Sequence, residues 1–262
     1  MTLSTSDDPL AAMLANAYRN NTIVAVPAGL EPPGLAGAYQ VQQRMLADCG
    51  MAAGGWKIGA RSATAPIRGA PLPQTGIHRG GAEVDRNAFP VLGLELEICF
   101  WLGCDIAPRA KPYSDDEILD SLEYVGAAIE IVSSRIAGWP DSAAPLLQLA
   151  DLQNHGALVT GTPHPYPPHT DWLAPQAELS LDGEILFRGA GRNPAGDPRR
   201  LLFWLVQHCS EQGLLLPRGS VITTGSYTGM QFPAGTGTVR GVIDGLPPVE
   251  FSLCRAASTL IF

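Results

Sequence analysis

The stretch "GLELEICF", residues 93–100, sets two carboxylates, Glu95 and Glu97, into an otherwise apolar run. As a β-strand it alternates, with Leu94, Leu96 and Ile98 on one face and both glutamates on the other. Like charges so close on one sheet face repel, and they lose hydration if that face is covered. Two arrangements relieve the conflict. A hard divalent cation takes carboxylate oxygens as ligands and cancels the repulsion, or the strand lies at a sheet edge with its charged face in water. Further on, "AAIEIV", residues 127–132, carries Glu130 between Ile129 and Ile131. A third carboxylate, in a second apolar strand, weighs toward the cation.

The composition narrows the functional classes. With 262 residues, 45% of them hydrophobic and 16% charged, the chain is globular and long enough for one large domain with a modest extension. Its net charge of −8, with no basic block, excludes nucleic acid as the expected partner. An anionic substrate would need a local cation, a lysine or a metal, to reverse the field around it. Five cysteines without a CxxC pair read as reduced thiols of a cytoplasmic protein. The opening "MTLSTSDDPLAAML" has no basic start and no long apolar run, so no signal peptide is expected. No window is apolar enough to cross a membrane.

Periodicity divides the chain into a helical N-terminal segment, residues 1–55, and a strand-rich domain, residues 56–262. "SDDPLAAMLANAYRN" and "PPGLAGAYQVQQRMLADCG" both carry apolar residues at helical spacing, with Pro9 in a first turn and Gly50 as a stop. "YSDDEILDSLEYV" reads as a helix opened by a capping box of Ser114 and Glu117. "AELSLDGEILF" is a hairpin around Asp182-Gly183, and "GDPRRLLFWLVQHCSEQG" is a helix capped by Asp197. "SVITTGSY", "TGTVRGVID" and "PPVEFSLC" complete an α+β pattern as strands, and "TPHPYPPHTDW" is a loop.

In order, "GWKIGA", "GLELEICFWLG", "AAIEIVSSRIAGW", "LADLQNHGALVTG" and "VITTGSYTG" resemble the 2-keto-4-pentenoate hydratase family of the fumarylacetoacetate hydrolase superfamily. The resemblance spans nearly the whole chain and implies that superfamily's mixed β-roll. It implies Glu95, Glu97 and Glu130 as ligands of Mg²⁺ or Mn²⁺, and Lys57 as the lysine of a K-x-G motif. Gly59 is then the glycine over which substrate approaches, and Ser62, Ser226 and Thr228 match substrate-binding positions. Asp151 falls on a family aspartate. The implied chemistry suits a small anionic 2-oxo acid, or 2-hydroxydienoic acid, of aromatic catabolism. Its carboxylate and 2-oxo oxygen chelate the metal, which stabilises an enolate while Lys57, its pKa lowered, moves protons. A cytoplasmic homo-oligomer is implied as well.

The chain also departs from the family. Gln74 stands where close hydratases carry an acid, Leu152 replaces an asparagine, and Gly229-Met230 replaces Arg-Pro. The metal half of the pattern is intact and the acid/base half is altered. If hydration survives, Asp151, as an uncompensated carboxylate, is the expected replacement acid/base, with a purely structural Asp151 as the alternative. His155 is read as structural in preference to a general base. A decarboxylase, a C–C hydrolase (with His78 and Glu83 the sole local candidates for its lid pair) and a non-catalytic ligand-binding homologue remain open.

Overall fold

Two helices at the head of the chain bury one stripe each, and the strands that follow close over a separate core. The computed structural model describes residues 8–255; Ser6 and Asp7 of the first expected helix, and the last seven residues of the expected 56–262 domain, lie outside them. Helix α1 (Pro9–Asn20) is capped by Asp8, whose carboxylate accepts from the amides of Leu10 and Ala11. Helix α2 (Leu35–Asp48) follows, and the two bury Leu10, Leu14, Val41 and Met45 against each other and against a later short helix.

The strands then come in quick order: β1 (Ala53–Gly59), β2 (Arg68–Pro73), β3 (Ile77–Arg79), β4 (Glu83–Asp85) and β5 (Gly93–Leu102). Helix α3 (Asp115–Asp120) leads into β6 (Leu122–Val132), and helix α4 (Pro145–Ala150) into β7 (His155–Thr160) and β8 (His164–Pro165). The hairpin β9 (Gln176–Leu181) and β10 (Glu184–Ala190) precedes helix α5 (Arg199–Glu211). Strands β11 (Val221–Ser226), β12 (Gly237–Ile243) and β13 (Val249–Cys254) finish the fold.

These strands form two sheets. One runs β2-β1-β11-β5-β6-β7-β3 with β8 paired to β6, and the other runs β10-β9-β12-β13-β4. The apolar sides of β5 and β6, including Leu94, Leu96, Ile98, Ile129 and Ile131, face the second sheet across a common core. Gly241 of β12 permits the contact, because a Cβ there would come 2.5 Å from Leu96 and 3.2 Å from Ile129. This is an α+β fold, a mixed roll in which β5 is an inner strand.

One detail differs from the local sequence signals and another agrees with them. The capping box at Ser114 and Glu117 forms, yet the helix stops at Asp120 and the chain straightens at Leu122. There Tyr124 and Val125 pair with Trp101 and Phe100 of β5, so sheet pairing of aromatic and branched side chains outcompetes one more helical turn. The Asp182-Gly183 turn has positive φ at both residues (51° and 84°), as a two-residue hairpin turn requires.

Strand β1 lies parallel to β11, with Lys57 opposite Thr223, and its approach depends on Gly55. A Cβ on Gly55 would sit 2.1 Å from the Val221 carbonyl oxygen, a clash with backbone that no rotamer relieves. Gly55→Ala should therefore separate β1 from β11 and destabilise the fold by about 2 kcal/mol or more, in the range of overpacked cores. A urea midpoint equal to that of the parent would refute this.

Candidate metal centre

The strand pairing brings the three glutamates together. In the β5–β6 ladder Glu95 lies directly opposite Glu130, and Glu97 is next along the same face of β5. One carboxylate oxygen from each lies within 4.8 Å of the others. Glu130 is fully buried, Glu97 nearly so, and Glu95 is half-buried. The edge-strand alternative is thereby excluded, since β5 has β11 on one side and β6 on the other.

Hydrogen bonds hold only one oxygen of each buried carboxylate. Glu130 Oε1 accepts from Lys57 Nζ at 2.7 Å and lies 2.9 Å from Nδ1 of the buried His155, while its Oε2 is buried with no partner. Glu97 Oε2 accepts from Thr223 Oγ1 and, at 2.9 Å, from the Gly225 amide. Glu95 makes no hydrogen bond among the described residues. An orphaned buried carboxylate oxygen costs several kcal/mol by order of magnitude unless something cationic meets it. The donor set, all hard oxygen, fits Mg²⁺, Mn²⁺ or Ca²⁺.

Burial pushes the Glu95 carboxyl up to about 7, with Glu130 adding to the rise and Lys57 opposing it. Burial likewise raises Glu97 to about 8, reinforced by Glu130 and Glu95 against the pull of Lys57 and Thr223. For Glu130, burial acts upward but Lys57 and His155 outweigh it, so its pKa is lowered. The expected lowering of Lys57 is not found. Burial does push the amine down, yet Glu130, Glu95 and Glu97 together raise it above its ordinary value. Burial keeps His155 below the usual histidine range, which suits a neutral ring donating Nδ1–H to Glu130.

The glutamates and Lys57 line a cavity of about 770 Å³, together with Gly59, Ser226, Gly229 and Met230. A Cβ on Gly59 would enter open space. Ser226 Oγ donates to the Gly229 carbonyl, and Thr228, just behind the wall, accepts from the Leu96 amide. Ser62 is exposed and caps its own turn through the Ala65 amide, without lining the cavity. Gln74, His78 and Glu83 do not line it either.

Asp151 is also outside the cavity wall, and its expected isolation is corrected by its partners. The buried carboxylate accepts from Arg135 Nε at 2.5 Å, the Arg135 amide at 2.8 Å and Ser134 Oγ at 3.0 Å. Next to it, Leu152, Gln153 and Asn154 all take left-handed φ (49°, 55° and 59°), each costing roughly 1 kcal/mol or more. That strained turn aims the Gln153 carbonyl at Lys57 Nζ, 3.0 Å away, and starts β7 with His155 under Glu130. Sequence reasoning missed Thr223, whose alternation with Thr224 on an apolar strand was a usable signal, and the cavity-lining Arg61, Arg68 and Arg192, which carry no motif.

No protein-family model matches the chain. A 2-keto-4-pentenoate hydratase of Paraburkholderia phymatum is 29% identical over 94% of this chain and 96% of its own length. One from Burkholderia vietnamiensis is 31% identical over 60% of this chain, a match that spans 58% of that relative. A solved 4-oxalocrotonate decarboxylase from Pseudomonas putida G7, complexed with magnesium and adipate, superposes with a TM-score of 0.80 at 21% identity, covering 94% of this chain and 97% of the other. The chain shares the fold of that decarboxylase, an α+β roll of the fumarylacetoacetate hydrolase type. In sequence, the chain is similar to 2-keto-4-pentenoate hydratases over nearly its whole length. Among the described residues no helix is long and apolar enough to cross a membrane.

Two outcomes follow from this geometry. Glu95 and Glu97 bind protons more tightly when folded than at the usual carboxylate value of 4.5, so metal-free protein should lose stability as pH rises through about 7 to 8. Millimolar Mg²⁺ or Mn²⁺ should offset that loss and release protons on binding, read by melting curves from about pH 6 to 9 and by calorimetry in two buffers. A flat pH profile without metal would contradict the buried cluster. Asp151→Asn removes the anion facing buried Arg135 and should cost about 3–5 kcal/mol of stability. Unchanged denaturation would show that the Arg135 pair does not hold the turn.

Proposed function

We propose that this protein is a divalent-cation-dependent lyase of the hydratase type, acting on a small 2-oxo or 2-hydroxydienoic acid in aromatic-compound catabolism. The observation that carries this reading is the convergence of Glu95, Glu97, Glu130 and Lys57 in one cavity. The similarity to a hydratase over 94% of the chain supports it.

Glu95, Glu97 and Glu130 are the residues to hold Mg²⁺ or Mn²⁺. When bound, such an ion supplies Lewis acidity to substrate oxygens. The protein's own residues do the rest. Lys57, fixed by Glu130 and the Gln153 carbonyl, presents an ammonium at the cavity wall and can donate a proton to, or stabilise, a developing oxyanion. Gly59 leaves room for the substrate, with Ser226 beside it and Thr228 and Ser62 supporting the adjoining turns. Asp151 acts at a distance, by fixing the strained turn, and carries no proton to substrate. The five cysteines stand as free thiols, which supports a cytoplasmic location, and a homo-oligomer is part of the same reading.

Decarboxylation is the second reading, and one observation favours it. Apart from the three glutamates, no carboxylate and no histidine among the described residues lines the cavity, so none of them places a side-chain base for activating water there. Loss of CO₂ needs none.

Mass analysis after incubation with 2-hydroxypenta-2,4-dienoate, an unsaturated 2-oxo diacid and an acylpyruvate separates water addition, CO₂ loss and C–C cleavage. Water addition is the expected result, and CO₂ loss alone would establish the second reading. Lys57→Ala should reduce turnover about 10²–10⁴-fold, as for a lost proton carrier, while Mn²⁺ binding persists. If instead KM alone changes, Lys57 only positions substrate.

A further inference from the structure

We propose that the substrate is a dianion: a 2-oxo acid with a second carboxylate at its far end, received by Arg61, Arg68 and Arg192. This rests on the metal-site reading above and specifies its substrate.

The arginines come from two places on the cavity wall. Arg68 is paired with Gly59 at the end of the β1–β2 ladder, and Arg61 stands on the turn that joins those strands. Arg192 belongs to a loop pinned beside β11, where its amide donates to the Tyr227 carbonyl and the neighbouring Asn193 side chain donates to the Thr224 carbonyl. Arg61 and Arg192 are exposed while Glu97, Glu130 and Lys57 are buried, so the guanidinium groups occupy the outer part of the cavity and the glutamates its depth.

Among the described residues none of the three guanidinium groups meets a carboxylate. Arg44, Arg109, Arg135, Arg188, Arg199, Arg218 and Arg240 each meet a carboxylate. Arg61 and Arg192 have no side-chain partner among the described residues, and Arg68 donates only to the Ile67 carbonyl. In a chain of net charge −8, unpaired cations gathered on one cavity are not the product of a general basic surplus.

Charge balance gives the same answer. With the glutamates ionised, the cavity side chains comprise three negative and four positive groups, since Lys57, Arg61, Arg68 and Arg192 face Glu95, Glu97 and Glu130. A divalent cation raises the surplus further. A monoanion would neutralise little of it, whereas a second carboxylate gives the guanidiniums a charge-assisted, geometrically matched acceptor. Ile58, Val132, Leu149 and Met230 also line the cavity and offer apolar wall for a short carbon chain.

The test compares 2-oxoadipate with 2-oxohexanoate, equal in length and different only in the terminal group, by calorimetry in the presence of Mn²⁺. The parent protein should bind 2-oxoadipate about tenfold or more tightly, the scale of one hydrogen-bonded charge pair. The Arg61→Ala/Arg192→Ala and Arg68→Gln variants should lose most of that preference while binding oxalate with Mn²⁺ within about threefold of the parent. Equal affinity for the two acids in the parent, or a preference that survives in both variants, overturns the proposal. Failure of the parent to bind oxalate with Mn²⁺ would instead bring down the metal-site reading, and this inference with it.

Discussion

Everything in the site depends on the ion pair between Lys57 and Glu130, set where three carboxylates meet, two of them buried. A carboxylate with no exposure is tolerable in an apolar sheet because an amine 2.7 Å away shares its charge. Lys57 occupies that place because Gly55 lets β1 run against β11, and β11 carries Thr223 and Gly225 to the other buried carboxylate, Glu97. One amine cannot balance three carboxylates. The remaining imbalance appears as protons held on Glu95 and Glu97 near neutral pH, or as a cation taking their place.

The second support is the turn at residues 152–154. Three successive non-glycine residues in left-handed conformation would not persist in an isolated peptide. Here the Asp151–Arg135 pair clamps the start of the turn, and Arg135 also donates to the carbonyls of Asp151 and His155. The strain is held at the cavity, where it fixes a carbonyl on Lys57 and an imidazole on Glu130. Leu152 is buried among the apolar side chains of α1, α2 and α4, so the helical segment secures the same turn.

How much of this was legible in the sequence differs residue by residue. The alternation of Leu94, Leu96 and Ile98 with Glu95 and Glu97 was visible because strand geometry has a period of two and needs no partner to be read. Glu130 was visible for the same reason. The Asp182-Gly183 hairpin and the Asp8 cap were likewise local signals. What could not be read was anything set by distant pairing. The end of α3 is decided by β5, Asp151 is neutralised by an arginine sixteen positions earlier, and Thr223 reaches Glu97 across 126 residues. Rim arginines are harder still, since an unpaired arginine looks the same in a sequence as a paired one.

The same geometry resolves the apparent conflict over Lys57. A proton carrier near neutral pH wants a lowered amine pKa, and the metal-free site raises it. The charge that raises it is that of Glu130, Glu95 and Glu97, the same carboxylates that form the cation cluster. A cation at those oxygens removes the attraction holding the lysine's proton, while the burial that favours the neutral amine stays in force. The amine is therefore stabilised as ammonium while the charge of those carboxylates is uncompensated, and a bound cation would release it toward acid/base use. On this argument Glu130 serves twice: Oε1 fixes Lys57, and the buried, unpartnered Oε2 would be available to a cation held by the three glutamates.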